Sequence, residues 1–421
     1  MTLYETMVNE SKELYKSLPE EGNELFKRRF IPIELPQSFG SSTAQAQEAS
    51  SDINKLPIKF DAIISGNGCR SMSKAVKIAA AGSEEYMNAI SSRIYDTGSD
   101  KYSAFINASS SNAVIVNISD TSTRKLNLFF STNSDICTQV FINAAKNAEC
   151  EITEWHSSSE HSGSINGVIN EIIASPYSKI ALNVVHNEPS EAKVLNVSKA
   201  VAMSNAHATV NYVYLGGSLT KSRNYLFASG YSAGVVANEF VFAQSEQKYD
   251  INTSIVNEAE ATSARLTSKA VVSDKSVCFL KGFSKINHGA KDSHSFVEER
   301  GLIIEKSAKL ESIPSMSIDE SQVKASHSSS MAPLDQDTIF YLNSRGIDSK
   351  TARMLIISGF SISQLAKISD DMLKVALSSI VSSRSSGIDG IGKIPSIASR
   401  DMWIPPASYT TIQKHKDLEG V

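Results

Sequence analysis

The sequence predicts a mainly β protein whose core is a β-helix. Short runs rich in β-branched and aromatic residues recur for roughly two hundred residues after about Tyr102. Small-residue corners that resemble one another separate the runs, and Asn-Gly or Asp-Gly hairpin signals are nearly absent, Asn166-Gly167 being the exception. Short strands joined by such corners are typical of coils stacked into a solenoid, with a β-sandwich as the alternative. Alanines occupy equivalent places in these corners: Ala148, Ala206, Ala233 and Ala308.

The N-terminal region, residues 1–98, is predicted to be mostly helical. A capping-box pattern at Thr2 begins a helix that extends for about 30 residues. A polar linker or exposed loop follows at 36–52. Helical signals return at 71–82 and 83–96, where apolar residues lie three and four positions apart.

The β region is predicted to span residues 99–332. Its runs are enriched in valine, isoleucine and aromatic residues, which favour strands. They lie at 113–118, 126–130, 150–155, 180–185, 209–215, 225–227, 239–243, 277–280 and 302–305.

Residues 333–384 are predicted to form a helical domain. Asp335 suits the N-cap of a first helix and Gly346 the residue after its end. Asp348 suits the N-cap of a second helix, and a third begins near residue 370. The tail, 385–421, is rich in Ser, Gly and Pro and is expected to be poorly ordered.

Composition excludes several classes of function. The 421 residues carry a net charge of -4 and a pI near 6.1, without the basic excess typical of nucleic-acid binding. The tight basic run at 27–29 is interpreted as a solvated helix end. No apolar stretch approaches the roughly 18 residues that a membrane span needs. The polar N-terminus does not resemble a signal peptide, so a cytoplasmic location is expected.

Known catalytic and metal motifs are not visible. The four cysteines form no CxxC pair, and Cys150 and Cys278 lie in apolar runs, where thiols behave as small buried hydrophobes. Gly66-Asn67-Gly68 is too short for a phosphate-binding loop, and neither GxSxG nor HExxH occurs.

The histidines suggest one position of interest. His156 and His161 are interpreted as part of a polar surface loop in preference to a metal site, and His288 and His294 as part of a polar turn. His327 lies in a Ser-rich turn where the β region meets the helices. The remaining histidines offer no constellation: His186, His207 and His415.

The junction resembles a known family. The ordered segments KGFSKI, GLIIEKSAKLESIPSMSI, VKASHSSS and FYLNSRGI are similar to the SufB/SufD family of iron–sulfur cluster assembly proteins. Further similar segments lie at 105–118, 139–155 and 213–243, so the resemblance covers about residues 100 to 360. It implies a right-handed parallel β-helix and a helical C-terminal region that docks on SufC, an ABC-type ATPase. In this family SufB and SufD pair through their cores, and clusters are thought to assemble there.

Within the family the chain looks most like SufD. Ser326-His327 matches the Ser-His pair of SufD-type proteins, and Ser328 stands where SufB-type proteins have a glutamate. The SufB cysteine position falls at or near Glu299. Two departures are the missing Trp-Lys-Tyr-Thr pattern near the N-terminus and Asn257, where many relatives have histidine.

The resemblance implies a non-enzymatic subunit that pairs with a SufB scaffold or with itself. It implies no permanently bound cofactor, with iron or an iron–sulfur cluster held transiently between partners. His327 is the candidate ligand, because neutral imidazole binds iron. Two alternatives are a SufB-like scaffold acting as a homodimer and a carbohydrate-active β-helix enzyme. The candidate SufC-docking residues are Phe340, Tyr341, Arg345, Gly346, Leu355, Ile356 and Phe360.

Overall fold

A computed structural model of the chain describes residues 2–19, 31–33, 35, 58–65, 68–96, 100–119, 125–132, 134–158 and 163–385. The predictions made for the basic run, the 36–52 linker, His161, His415 and the tail beyond residue 385 lie outside these residues.

The described chain is a parallel β-solenoid of about seven turns with helices toward both termini, which confirms the β-helix and excludes the β-sandwich. Between residues 112 and 303 successive strands alternate between two sheets, and each strand pairs with the strand two places along the chain. The first sheet contains β1 (Ala62–Ser65), β2 (Gly68–Ser71), β5 (Lys125–Ser131), β7 (Glu149–Ser157), β9 (Lys179–Asn187), β11 (His207–Tyr214), β13 (Gly234–Ala243), β15 (Ser263–Val272), β17 (His294–Ile303) and β20 (Lys324–Pro333). The second contains β3 (Val76–Ala80), β4 (Asn112–Ile118), β6 (Ile136–Ala144), β8 (Ile165–Ala174), β10 (Lys193–Ala202), β12 (Leu219–Ala228), β14 (Lys248–Asn257), β16 (Val277–Ile286), β18 (Lys309–Ser312) and β19 (Ser315–Ile318).

The corner alanines have the same structural role. Each donates its backbone N–H to the carbonyl three residues earlier, as Ala148 does to Ala145 and Ala206 to Met203. A residue with positive φ precedes three of them, for example Asn147 with φ of 63°. Asparagine tolerates this left-handed conformation, and the small alanine fits inside the bend. The four equivalent positions therefore mark equivalent turns of the solenoid.

Six helices in the described residues cover the outer faces of the sheets. They are α1 (Leu3–Ser17), α2 (Glu84–Ser91), α3 (Lys101–Ser109), α4 (Gln336–Ser344), α5 (Ser349–Leu365) and α6 (Asp371–Ser385). Helices α1 and α3 pack against the outer side of the second sheet. The last three share an apolar cluster with the outer side of the first sheet, including the buried Trp155 and Phe240. The C-terminal helices therefore lie along the flank of the solenoid.

The caps predicted for the C-terminal helices are confirmed. Asp335 accepts hydrogen bonds from the first backbone N–H groups of α4, and Asp348 does the same for α5. Gly346 has φ of 84°, the left-handed conformation expected just after a helix.

The helix predicted to begin at Thr2 and extend for about 30 residues ends at Ser17. Two further predictions are wrong. Residues 71–82 do not form a helix, because Val76–Ala80 pairs antiparallel with β4 as a strand. Residues 101–109, assigned to the β region, form α3, whose N-cap is Asp100. In both segments tertiary pairing or capping outweighs the weak local propensities on which the predictions rested.

Candidate functional site

The solenoid ends in an exposed strand. Within the described residues β20 pairs with β17 alone and is the last strand of its sheet. His327 lies in the middle of β20 and is exposed, so its placement in a Ser-rich turn was wrong. Because α4–α6 lie on the flank, they do not cover this edge. We call β20 with its inward-facing side chains the open end.

Strand register shows that His327 continues a row of core side chains. It is paired with Val297, which is paired in turn with Leu266, and both of those residues are buried in the core between the sheets. Side chains alternate along a strand, so Ser329 and Met331 also face inward. His327 is therefore the last member of an otherwise apolar interior row.

A second interior row contains three buried carboxyl groups, and we call it the carboxylate row. Register connects its members in sequence from coil to coil: Glu154, Val184, Tyr212, Glu239, Ser268, Glu299 and Ser329. Burial raises the pKa of Glu154 to about 8 and that of Glu299 to about 7. Burial also raises the pKa of Glu239, whose carboxylate accepts a hydrogen bond from Ser268 at 2.6 Å. The interior of the solenoid therefore contains three carboxyl groups whose neutral form is favoured by burial.

The carboxylate row reaches the open end at Glu299. The Ser312 hydroxyl donates a hydrogen bond to Glu299, and the hydroxyls of Ser312 and Ser329 lie 2.7 Å apart. Glu299 and His327 face the same interior, on paired strands and two positions out of register. The position that the family resemblance assigns to a SufB cysteine therefore carries a buried carboxyl group beside the row of His327.

A third interior row is aromatic, and we call it the aromatic column. Its members are Phe130, His156, His186 and Tyr214, which register aligns on successive coils. Ring centroids are 4.3 Å apart for Phe130 and His156, 4.6 Å for the two histidines, and 5.6 Å for His186 and Tyr214. Both histidines are fully buried. Burial, and then the proximity of His186, lowers the pKa of His156 well below its usual value.

Glu188 joins the two histidines in one polar cluster. Its Oε1 lies 2.7 Å from His186 Nδ1 and accepts a hydrogen bond of 2.6 Å from the Asn166 amide. The same amide nitrogen lies 3.1 Å from His156 Nδ1. One ligand atom from each of His156, His186 and Glu188 lies within 4.8 Å of the other two. We call these three residues the His-His-Glu cluster.

The two sequence interpretations of these histidines were therefore wrong. His156 belongs to buried strand β7 and not to a surface loop, and His186 does belong to a constellation. The available signal was spacing, because His156 and His186 are 30 residues apart, which is one coil in this part of the solenoid. Alternation then places Glu188 near the face of His186.

The candidate docking residues differ in exposure. Phe340 and Tyr341 on α4 are 74% and 56% exposed, and Leu355 on α5 is 47% exposed. Arg345 and Gly346 are also exposed, with the Arg345 guanidinium 5.2 Å from the centre of the Tyr341 ring. Ile356 and Phe360 instead pack half-buried against the flank cluster. The exposed part of the set is therefore Phe340, Tyr341, Arg345, Gly346 and Leu355.

Other sequence assignments agree with the structure. Cys150 and Cys278 are buried, and burial raises the pKa of both thiols. His288 is exposed in a turn, and His294 is exposed at the first residue of β17. Among the described helices none has the length and apolar character needed to cross a membrane.

Together these features define a β-solenoid protein with buried polar side chains inside its coils and, within the described residues, an exposed, unpaired edge on strand β20. Sequence comparison then gives the family. The profile described as "SUF system FeS cluster assembly, SufBD core domain" matches residues 129–360, and the chain belongs to this family.

Individual relatives are distant. A SufBD family protein of Mycobacterium bovis is 24% identical over 201 residues, covering 47% of this chain and 24% of that protein. SufD of Bacillus subtilis is 29% identical over 141 residues, covering 34% of this chain and 32% of SufD. A SufBD family protein of Pyrococcus horikoshii is 24% identical over 241 residues, or 56% and 53% of the two chains. The matches thus span at most about half the length of these relatives.

Proposed function

We infer that this chain is a SufD-like, non-catalytic subunit that pairs with a SufB scaffold and a SufC ATPase to build and transfer iron–sulfur clusters. The observation that carries the proposal is the open end. It presents a ten-residue strand and a histidine from the interior row at the same edge. Family membership supports a role in cluster assembly, and the Ser326-His327-Ser328 segment favours the SufD type.

The backbone of β20 supports pairing with another strand. The Lys324 N–H donates to the carbonyl of Ser293, just before β17, and the Leu334 N–H donates to Ile303 at the end of β17, with an unbroken register between them. Since backbone groups alternate in direction along a strand, the N–H groups of residues 325, 327, 329 and 331 point away from β17. Such an edge is a template for strand addition by a partner. An inward side chain of β20 would then face the interior of the joined solenoid.

Iron or a cluster is the proposed cargo at this junction. Cluster assembly requires thiolates as sulfur acceptors and iron ligands. Of the four described cysteines, Cys137, Cys150 and Cys278 are buried, and the exposed Cys69 lies in β2, at the opposite edge of the first sheet from β20. We therefore assign the thiolates to the partner and a single imidazole, that of His327, to this chain. This arrangement favours the heterodimer over the SufB-like homodimer.

A proline substitution tests the pairing directly. Ser329→Pro removes an outward N–H and leaves the β17 hydrogen bonds in place, since proline is tolerated on the free side of an edge strand. Ser329→Ala removes the same hydroxyl and keeps the N–H. Each variant is co-expressed with SufB and SufC and analysed by size-exclusion chromatography. We expect Ser329→Pro to lose SufB and Ser329→Ala to retain it.

Equal recovery of SufB with a folded Ser329→Pro variant would rule out pairing through β20. Circular dichroism and the unfolding temperature of the purified variants establish that both remain folded. Failure of the unmodified chain to co-purify with either partner would rule out the subunit assignment itself.

A further inference from the structure

The His-His-Glu cluster has the donor set of a metal site. Two imidazoles and one carboxylate suit divalent first-row metals such as Zn²⁺, Fe²⁺ and Co²⁺. His156 and His186 are completely buried, and Glu188 is nearly so. The second carboxylate oxygen of Glu188 has no hydrogen-bond partner among the described residues. A buried carboxylate oxygen without a partner is costly unless a proton or a cation compensates it.

The shortest contact in the cluster marks the place that a proton or a metal ion would occupy. His186 Nδ1 and Glu188 Oε1 are 2.7 Å apart, and both are acceptors when neither carries a proton. Either a proton or a metal ion must therefore lie between them. Asn166 provides the nearest additional group, with its amide nitrogen 2.6 Å from Glu188 Oε1. Rotation of that amide by 180° would place its oxygen, in place of its nitrogen, beside Glu188 Oε1 and His156 Nδ1, where it could serve as a fourth ligand.

The outer contact of one imidazole matches that of a metal-binding histidine. His186 Nε2 lies 3.4 Å from Asn196 Oδ1, whereas His156 Nε2 makes no hydrogen bond among the described residues and has a Glu154 carboxylate oxygen 3.5 Å away. Histidines that bind metals commonly direct their outer N–H to a carbonyl or carboxylate, which fixes the tautomer with the other nitrogen free. In both residues the nitrogen left for a metal is Nδ1, the one nearest Glu188 or Asn166.

We propose that His156, His186 and Glu188 bind one divalent first-row transition metal ion inside the solenoid, with the Asn166 amide oxygen as the fourth ligand. The site is distinct from the open end and does not depend on any partner chain.

Binding requires a small rearrangement. Bonds of about 2.0–2.1 Å to a tetrahedral ion separate the ligand atoms by about 3.3–3.4 Å. The 2.7 Å contact between His186 and Glu188 must open to reach this value. The stacked imidazoles, now tilted by 29°, must also turn further toward edge-on, because an ion lies near the plane of each ring. The metal-bound state thus loses the close stacking within the aromatic column.

The test measures metal content and coordination in the isolated chain. Tag-free protein is produced in medium supplemented with Co²⁺ or Zn²⁺, so that the ion is present while the buried His-His-Glu cluster folds. The purified protein is then passed over a chelating resin to remove loosely bound ions. We expect one ion per chain by elemental analysis. We also expect the Co²⁺ form to show intense visible bands of four-coordinate geometry, and the Zn²⁺ form to unfold at a higher temperature than protein made without added metal.

Matched variants identify the ligands. Glu188→Gln keeps the shape of the side chain, and His186→Phe keeps an aromatic ring between its stacked neighbours. Both should remain folded by circular dichroism and lose the bound ion, whereas His327→Ala should retain it. Absence of bound metal in the unmodified protein, or full metal content in folded Glu188→Gln, would overturn the proposal. Because no SufB or SufC is used, this outcome is independent of the proposed subunit role.

Discussion

Glu299 and Ser312 face each other inside the last coils, where the serine hydroxyl donates a hydrogen bond to the buried carboxyl group. The hydrogen bonds from Ser312 and from the Gly282 backbone do not offset the cost of burying a charge, since burial raises the pKa of Glu299 from its usual 4.5 to about 7. The carboxyl group near the open end therefore changes protonation close to neutral pH.

Replacement of Glu299 by glutamine should change how stability depends on pH. The folded state binds the proton more tightly than the unfolded state, so this contribution is complete below pH 4.5 and is lost as pH rises through 7. Between pH 5 and 8 the natural protein should lose up to about 3 kcal/mol more unfolding free energy than Glu299→Gln. Urea denaturation at both values measures the difference. The exposed Glu260→Gln variant is the control, and identical pH profiles for all three proteins would contradict the prediction.

Replacement of His327 by alanine should reduce cluster formation without disassembling the complex. The imidazole is exposed on β20, so its removal leaves the solenoid core unchanged. Cluster yield is followed by visible absorption after reconstitution of the co-purified complex with iron and sulfide. The matched control is His294→Ala, which removes an exposed histidine from neighbouring strand β17. A cluster yield equal to that of the control would exclude a role for His327 as a ligand.

Replacement of Phe340 by lysine should weaken co-purification with SufC. The ring is 74% exposed on α4, so a charge there should disrupt an apolar interface at little cost to the fold. Met372→Lys changes a side chain that is 48% exposed on α6 and serves as the control. Quantitative pull-down from cells that contain both chains gives the measurement. Loss of SufC from both variants, or from neither, would argue against docking through α4.

Replacement of Asp250 by asparagine should destabilise the fold strongly. The carboxylate lies 2.6 Å from Lys221 Nζ and 2.8 Å from Lys281 Nζ, and all three side chains are buried. Burial opposes ionisation of Asp250, but Arg223, Lys221 and Lys281 together lower its pKa below the usual range. Its loss leaves buried cations without this counter-charge, which should cost about 3–5 kcal/mol in urea denaturation. Glu246→Gln breaks the exposed pair with Lys275 and should have no measurable effect.

Local chemistry predicted the parts of the fold that depend on neighbouring residues. Asp335, Asp348 and Gly346 lie where the caps were expected, because capping involves only the first or last turn of a helix. The corner alanines were recognised for the same reason. Strands such as β9, which is rich in β-branched and other apolar residues, were also visible from composition.

The features that the sequence did not predict depend on contacts with residues of neighbouring coils. The Ala- and Lys-rich segment of β3 is a strand because β4 lies beside it. His156 was assigned to the surface because a polar residue is usually exposed, whereas here aligned coils stack rings and amides on one another. The number of residues per coil varies, from 30 between β7 and β9 to 28 between β9 and β11, so the 30-residue spacing of His156 and His186 gains its meaning only once the coils are aligned in space.

The two ends of the solenoid are chemically different. One edge of the first sheet is the antiparallel, four-residue β2, and the other is the parallel, ten-residue β20. Short edge strands are poor templates for strand addition, and long ones are good templates. A contact that joins one long edge to another consumes both edges and closes on itself. If two chains pair through β20 as proposed, the edge left on each is the short β2, and the assembly is expected to stop at two solenoids.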